Sequence, residues 1–508
     1  MQNKDLIILI IVGLIFSIAL QSIAFTSKYI VNDDVRTALF PISKLNDHEL
    51  FPDDLLEKYI TEKGSTKPLI LFYALIDKFT DYILITKILP IILFILSLIL
   101  FYLTAKQFLN NTASFISTVI YLYFAWTLQL FSGGTSRAFA MPLIAIFLYF
   151  FMKDKTLPAL ITIIISSLFY PPITLILSLT YALTFLNNSL SEIKSKRFLL
   201  FLISIIIVFL LIFQSKLSET KEIGSMFSIS EFYNMQEVHL NGKIPALNGI
   251  LSVINPYNAG IKFSLTKNPI ALLIIAAIIL AFTKTKTNLP KKIKLFAVSG
   301  LILYFIALII PFKIYIPIRY LLPVYLFLIF FISSKLQNIN LNLTKKIILI
   351  ILLFIIFLPH LRRDLTICKN PEIYNFINTL PKDSLIAGYP KDLDCIPLYS
   401  ERSVLINDEM NIPFYKTYYL KIKERLTDLF KAYYSDNELE IKEFCNKYKV
   451  THLLINKDRF SNEFLNKEVI YPNPFNTLIK ENKNNNFILP KLINKSIFSS
   501  DNQFIISC

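Results

Sequence analysis

Residues 6–20 read LIILIIVGLIFSIAL, an apolar run that begins directly after the polar start of the chain. A core strand of a soluble protein is much shorter than this run, and similar apolar blocks recur at residues 198–213 and 347–358. A helix that crosses a bilayer needs about 17–25 mainly apolar residues. The sequence contains about eleven such segments, with approximate cores at residues 6–25, 83–105, 112–131, 137–152, 156–170, 172–187, 198–215, 268–283, 294–310, 320–334 and 346–359.

The composition supports a membrane protein. Of the 508 residues, 54% are hydrophobic and only 17% are charged, whereas soluble proteins average roughly 25% charged residues. This composition excludes a soluble enzyme, a disordered chain and a collagen-like chain. The sequence therefore predicts a polytopic α-helical membrane protein.

The positive charge has the distribution expected from membrane topology. Residues 1–360 carry 31 Lys and Arg against 17 Asp and Glu, whereas residues 361–508 carry 21 against 19. The excess falls in short loops between predicted spans, and cationic residues are retained on the cytoplasmic side. This predicts a cytoplasmic N-terminus. No basic stripe interleaved with aromatic residues is present, so nucleic-acid binding is not expected.

A cleaved signal peptide is the alternative for residues 1–25, because Ser22-Ile23-Ala24 has the small-x-small pattern of a cleavage site. The residues before the apolar run include one Lys and one Asp and are not clearly basic, which favours a retained first span.

This topology places three long segments on the outer face: a first loop at 26–82, a second loop at 216–267 and a C-terminal region at 360–508. The two loops belong to a predicted transmembrane domain at 1–359. Within the first loop, residues 68–79 are too few to span a membrane and predict a helix in the membrane interface.

The C-terminal region alternates between helical and strand patterns, which predicts a small extracytoplasmic α/β domain. The predicted helices are Pro371–Leu380, Tyr415–Tyr434 and Glu438–Tyr448, and the predicted strands are Ser384–Ala387, Ser403–Ile406 and Thr451–Ile455. Gly388 is the single glycine of this region, so it contains neither a Walker loop nor a G-x-G-x-x-G turn.

All four cysteines lie in this region, at positions 368, 395, 445 and 508. No pair has CxxC spacing, and the four histidines show no metal-ligand spacing. Disulfides, if the region is extracytoplasmic, and small buried thiols both remain open.

The apolar segments contain almost no acids. Between Tyr82 and Lys216 the only acids are Asp154 and Glu192, both in predicted cytoplasmic loops. Ion-coupled carriers place acids inside the bundle, so a proton or sodium relay is not expected.

The acids concentrate instead in the first outer loop. Asp33 and Asp34 follow the first span by only a few residues, and in an extended segment they would point to opposite sides. One carboxylate could then face a cavity, and a solvated interfacial pair is the alternative. Asp53 and Asp54 form a possible secondary acidic site, which equally resembles an Asx/Pro turn or a helix N-cap.

Two arginines stand at the predicted outer ends of spans, where positive charge is disfavoured. Arg137 follows the glycine-containing segment 133–136, and Arg319 precedes Tyr320-Leu321-Leu322-Pro323. A planar guanidinium binds phosphate through two hydrogen bonds, which fits a lipid phosphate. Snorkelling to ordinary lipid headgroups is the alternative.

This pattern resembles the GT-C superfamily of membrane glycosyltransferases, which includes protein O-mannosyltransferases, aminoarabinose transferases and oligosaccharyltransferase catalytic subunits. The resemblance rests on the acidic pair in the first outer loop, the interfacial helix after it, about eleven spans and the outer C-terminal domain. The segments Gly133–Ala140 (GGTSRAFA) and Arg319–Pro323 (RYLLP) also look like segments of bacterial and archaeal members. The chain departs from oligosaccharyltransferases in lacking a tryptophan-rich acceptor motif, because its single Trp is Trp126, within a predicted span.

The resemblance implies an inverting transfer of a sugar from a polyprenyl-phosphate-linked donor to an acceptor hydroxyl of a saccharide, lipid or protein, at the outer face of a bacterial or archaeal plasma membrane. It implies Asp33 as the base, with Asp34 as the second member of the pair. Arg137, Arg319 and Arg362 or Arg363 would bind the donor phosphate. Metal dependence stays open, with Mg²⁺ or Mn²⁺ as candidate cations. A lipid-linked-oligosaccharide flippase or other transporter and a non-catalytic envelope assembly subunit are the alternative functions.

Overall fold

The structure is a computed structural model that describes residues 2–128, 130–187, 195–217, 221–244, 269–283, 287, 289–309, 317–339, 341–361, 365–482 and 486–508. The chain divides into two compact units. The helical unit comprises Met1–Lys28, Asp81–Leu217 and Val253–Leu365. The α/β unit comprises Tyr29–Thr80, Ser218–Ser252 and Thr366–Cys508, so it combines the C-terminal region with parts of both predicted outer loops.

A helix lies at each of the eleven predicted apolar segments. Their bounds are Gln2–Phe25, Tyr82–Ala105, Asn111–Thr127, Ala140–Met152, Thr156–Phe169, Pro171–Asn187, Lys196–Leu217, Pro269–Ala281, Lys291–Ile309, Leu322–Lys335 and Leu343–Phe357. In the part of the chain that the structure describes, four stretches are long and apolar enough to cross a membrane: Lys4–Phe25, Tyr82–Ala105, Lys291–Ile309 and Pro317–Lys335. The mainly helical membrane fold is therefore supported, whereas the count of about eleven spans stays a prediction.

Aromatic stacking and one close backbone approach fix the packing inside the helical unit. The ring of Phe101 stacks between Tyr121 and Phe330, with centroid distances of 4.3 Å and 4.7 Å. Gly300 faces the backbone at Tyr320 so closely that a Cβ atom would lie 2.6 Å from its carbonyl oxygen. The helix Lys291–Ile309 therefore needs glycine at this position.

Short helices make up the N-terminal part of the α/β unit. They are Asp33–Ala38, Pro41–Asn46, Leu55–Tyr59 and Lys67–Asp77. The last of these lies at the segment predicted to form an interfacial helix. It buries Leu69, Ile70 and Tyr73 and exposes Leu71 and Leu75. This exposed apolar face suits a membrane surface, and the interfacial location stays a prediction.

Seven strands form two sheets among the described residues: β1 (Ile30–Asn32), β2 (Leu365–Ile367), β3 (Leu385–Gly388), β4 (Ser403–Val404), β5 (His452–Asn456), β6 (Phe498–Ser500) and β7 (Gln503–Ser507). Strands β1 and β2 pair with each other, and the larger sheet has the order β4-β3-β5-β7-β6. Strand β3 is parallel to β4 and β5, whereas β7 is antiparallel to β5 and β6. The main helices of this part are Pro371–Thr379, Lys416–Tyr433 and Glu438–Tyr448.

The four cysteines form two disulfides, Cys368–Cys395 and Cys445–Cys508. Of the disulfides and the buried thiols that the sequence left open for these cysteines, the structure therefore shows the disulfides. The first disulfide connects the residue after β2 to the segment that follows β3.

Candidate functional site

The acidic pair of the first outer loop lies at the start of a helix, so the predicted extended conformation is wrong. Asn32 is the N-cap of the helix Asp33–Ala38, and its side-chain oxygen accepts a hydrogen bond of 3.0 Å from the Asp34 amide. Neighbouring residues on a helix are separated by about 100° around its axis. Asp33 and Asp34 therefore point in different directions without lying on opposite faces.

The Asp33 carboxylate is held in place by two donors. Its Oδ1 accepts hydrogen bonds from the Arg36 guanidinium and from the Thr366 hydroxyl, the latter at 3.2 Å. Thr366 lies on β2, which pairs with β1 directly before Asp33. The side chain of Asp33 remains 36% exposed, so this carboxylate is both oriented and accessible.

Arg36 is the buried centre of this site. Its guanidinium lies 3.7 Å from Asp394 and 3.7 Å from Glu409, in addition to the bond with Asp33. Burial by itself would lower the pKa of Arg36, but the charges of Asp394 and Asp33 outweigh it and raise that pKa. Arg36 also donates to Cys395 Sγ over 3.7 Å, so the first disulfide adjoins the site.

Three acids of the C-terminal region complete the site. Ligand atoms of Asp394, Asp408 and Glu409 all lie within 4.8 Å of one another. The Glu409 amide donates to Asp394 over 3.1 Å, and Lys243 forms an ion pair of 3.1 Å with Asp408. Including Asp33, four carboxylates therefore face two cationic side chains.

Burial and mutual repulsion act on these acids together. Burial, followed by the charge of Asp408, raises the pKa of Asp394 well above its usual value. Burial, followed by the charge of Asp33, raises the pKa of Glu409. A cluster of carboxylates with raised pKa values is typical of functional sites.

The donor set fits a divalent cation. Carboxylate oxygens are the ligands that Mg²⁺ and Mn²⁺ prefer. In addition, Asp408 Oδ1 is buried and has no hydrogen-bond partner among the described residues. Asp394, Asp408 and Glu409 are thus the residues that could hold such an ion.

The second acidic pair serves the local fold. Asp54 is the N-cap of Leu55–Tyr59 and accepts hydrogen bonds from the Leu56 and Glu57 amides, at 2.7 Å and 3.1 Å. Burial raises its pKa. Asp53 is exposed and pairs with Lys58 over 2.6 Å, and the hydrogen bond from Lys58 lowers the pKa of Asp53. Of the two interpretations that the sequence left, the N-cap is the one that the structure shows for Asp54.

The predicted phosphate-binding arginines belong to the helical unit. Arg137 lies in the 3₁₀ helix Ser136–Phe139, and Gly133 and Gly134, which both have positive φ, precede the N-cap Thr135 of this helix. Arg319 lies in the 3₁₀ helix Pro317–Leu321, and its Nε is buried without a hydrogen-bond partner in the described part of the chain. Arg362 and Arg363 lie outside the described residues. A shared phosphate site stays a prediction.

Sequence reasoning missed Arg36, Thr366, Asp394, Asp408 and Glu409. A local signal existed for Arg36 alone, because residues three apart share a helix face and Asn32 is a favoured N-cap residue. The other four residues lie more than 300 positions after Asp33 and reach it only through tertiary structure.

Comparison with known proteins identifies the fold. No protein-family model and no curated protein sequence matches the chain. Among solved structures, the apo oligosaccharyltransferase of Archaeoglobus fulgidus is similar with a TM-score of 0.50 and 10% identity, over 92% of this chain and 71% of that one. The arabinofuranosyltransferase AftD from Mycobacteria is similar with a TM-score of 0.52 and 10% identity, over 90% of this chain and 37% of that one. The chain therefore shares the overall fold of these two solved glycosyltransferases, which is the fold that the resemblance predicted.

Proposed function

We propose that the protein is a membrane glycosyltransferase that transfers a sugar from a polyprenyl-phosphate-linked donor to an acceptor hydroxyl, with inversion at the anomeric carbon. The observation that carries the proposal is the Asp33 carboxylate, which Arg36 and Thr366 orient while the side chain stays accessible. The GT-C fold provides the membrane context in which such a carboxylate has a role.

Asp33 is proposed as the general base. The acceptor hydroxyl attacks the anomeric carbon from the face opposite the phosphate while Asp33 accepts the hydroxyl proton, and the phosphate leaves with the bonding electron pair. Such proton transfer contributes typically 10²–10⁴-fold to rate. Since Arg36 and Thr366 both bond to Oδ1, Oδ2 is the oxygen proposed to accept the proton.

A divalent cation would be held by Asp394, Asp408 and Glu409. When bound, it would supply positive charge that stabilises the departing phosphate. The site has four carboxylates but only two cationic side chains among the residues named here, Arg36 and Lys243. This excess of acidic groups supports the binding of a cation. Loss of activity with a chelator and recovery with Mg²⁺ or Mn²⁺ is the expected result, and full activity after exhaustive chelation would contradict the cation proposal.

The donor phosphate is proposed to bind Arg137, Arg319 and Arg362. The buried Nε of Arg319, which has no hydrogen-bond partner among the described residues, supports a role toward an anion. Arg319→Lys should weaken donor use, because an ammonium group cannot reproduce the planar fork of the guanidinium. Unchanged dependence on donor concentration in that variant would contradict its assignment.

The reaction is proposed to occur at the outer face of the plasma membrane of a bacterium or archaeon, next to membrane lipids that include the donor. The acceptor is a saccharide, lipid or protein. Two disulfides in the α/β unit support this side, because disulfides persist in oxidising compartments.

The test measures transfer from a radiolabelled polyprenyl-phosphate sugar by the full chain in membranes. Asp33→Asn keeps the shape of the side chain and removes its basicity, so turnover should fall by about 10²-fold or more while donor binding is retained. Asp53→Asn is the matched control, because it makes the same change in the same segment at an exposed residue. Turnover of Asp33→Asn at the level of Asp53→Asn would refute the assignment, and an inactive Asp34→Asn beside an active Asp33→Asn would transfer the role to Asp34.

A further inference from the structure

A second charged site lies within the helical unit, away from any residue used above. An open cavity of about 210 Å³ is lined by four cationic side chains: Lys155, Arg197, Lys291 and Lys292. One acid, Asp154, faces it. This site has no role in the proposed transfer reaction, and its argument is independent of that proposal.

The single acid is already neutralised. Lys292 pairs with Asp154 over 2.7 Å and also donates to the Phe151 carbonyl over 2.8 Å. Lys155, Arg197 and Lys291 have no ion-pair partner among the described residues. Three cationic side chains are therefore available to an anion from outside the described chain.

The helix ends add to this positive potential. Thr156–Phe169, Lys196–Leu217 and Lys291–Ile309 all begin at the cavity, and none has an acid in its first turn. A helix N-terminus carries a partial positive charge that acids in the first turn normally complement. At these three helices the first turn contains no acid, and the cations of the cavity lie at the N-cap or in the first turn instead.

Most of the remaining wall of the cavity is apolar and aromatic. Besides the charges and two threonines, Thr156 and Thr184, the lining consists of Phe151, Ala159, Tyr181, Phe185 and Leu295. The ring of Tyr181 packs on Phe201 with a centroid distance of 5.4 Å, which fixes this wall. A ligand with both a phosphate group and a hydrocarbon part matches such a lining better than a free anion does.

We propose that this cavity binds the phosphate headgroup of an anionic membrane lipid. Basic pockets between membrane helices on the cytoplasmic side are suited to such headgroups. Lys155, Arg197 and Lys291 all lie at helix starts that the charge distribution predicts to be on the cytoplasmic side. The bound lipid is thus one of the inner leaflet, on the opposite side from the proposed reaction.

Native mass spectrometry of the full chain in detergent tests this proposal with phosphatidylglycerol and phosphatidylcholine of identical acyl chains. The triple variant Lys155→Gln/Arg197→Gln/Lys291→Gln should bind phosphatidylglycerol about a hundredfold more weakly than wild type. The matched control Lys153→Gln/Lys335→Gln/Lys345→Gln removes the same charge from predicted cytoplasmic loops without touching the cavity, and it should stay within about twofold of wild type.

Three results would overturn the proposal. Equal binding of the two lipids by wild type would show that the headgroup is not recognised. An equal loss in both triple variants would show that only overall charge matters. Displacement of phosphatidylglycerol by inorganic phosphate at the same concentration would assign the cavity to a soluble anion.

A second measurement on wild type removes any dependence on the folding of the variants. A photo-crosslinkable phosphatidylglycerol should label peptides that contain residues 151–159 or 291–295, which line the cavity. Labelling confined to other helices would reject the site.

Discussion

Arg36→Gln is the perturbation that examines the site most directly. The guanidinium contacts Asp33, Asp394 and Glu409, and its side chain is only 7% exposed. Removing one partner of a buried ion pair leaves an uncompensated charge and typically lowers the free energy of unfolding by about 3–5 kcal/mol. For folded units of 150–250 residues, about 2–4 °C of Tm corresponds to 1 kcal/mol, so the Tm of the α/β unit should fall by roughly 6–20 °C.

The stability that Arg36→Gln loses should increase with pH. In wild type, burial and Asp408 already raise the pKa of Asp394, and Arg36 opposes this rise. Without Arg36 the pKa values of Asp394 and Glu409 rise further, so the folded variant favours the protonated acids more strongly. An acid with a raised folded-state pKa contributes stability at low pH and loses that contribution as the pH increases through the folded-state value. The deficit of the variant should thus be larger at about pH 8.5 than at about pH 5.5.

Thermal unfolding of the full chain in detergent, followed through hydrogen exchange of peptides from the α/β unit, measures both effects. Arg402→Gln is the matched control. This arginine is also buried in the α/β unit, but its guanidinium donates to the backbone carbonyls of Asn378, Leu380 and Ser400. Carbonyls do not titrate, and the charge of Arg402 offsets the raised pKa of only one neighbouring acid, Glu401. Its loss should therefore depend less on pH than the loss of Arg36, which faces three acids. A Tm deficit for Arg36→Gln that is equal at both pH values, or no deficit, would refute the electrostatic account of the site.

Three further predictions concern the disulfides, the helix packing and the topology. Cys368→Ser should lower the free energy of unfolding by about 2–4 kcal/mol, measured by denaturant unfolding, and a variant as stable as wild type would contradict the Cys368–Cys395 bond. Gly300→Ala should destabilise by about 1–3 kcal/mol, because its Cβ meets the Tyr320 carbonyl oxygen and Pro323. Gly13→Ala is its control in thermal unfolding, since that Cβ meets side-chain atoms of Leu98, Ile95 and Phe94, the nearest being the flexible end of Leu98, and no backbone atom among its three nearest neighbours; equal losses would contradict the packing argument. An impermeant maleimide should label Lys442→Cys in intact cells but Lys153→Cys only after permeabilisation, and the reverse result would invert the predicted topology.

Long periodic patterns made much of the fold predictable. The helix Glu438–Tyr448 has the predicted bounds, and helices lie at all eleven apolar segments, because hydrophobic periodicity is the strongest local signal. Strands β6 and β7 were missed. They are short, and the two residues between them, Asp501 and Asn502, are a turn signal that sequence reasoning overlooked; Asp501 indeed has a positive φ.

The candidate site was predictable only in its first residue. Asp33 could be selected from the sequence because it is an acid that stands just beyond the first apolar helix. Its surroundings do not follow from any local pattern, because the pairing of β1 with β2 supplies Thr366 and the α/β fold supplies Asp394 and Glu409. The extended conformation was predicted for a different reason, because the local N-cap signal of Asn32 was overlooked.

The energetics of the acidic cluster support the proposed catalytic role of the site rather than a role in stability. Replacing buried ion pairs with apolar residues is often neutral or stabilising, and the α/β unit already has an apolar core and two disulfides. Yet Asp394, Asp408 and Glu409 lie close together. Burial and the charges of neighbouring acids raise the pKa values of Asp394 and Glu409. Arg36 offsets part of this repulsion and at the same time directs Asp33 toward the accessible side. An arrangement that is unfavourable for folding, and that orients one exposed carboxylate, is the one expected where a proton or a cation must be handled.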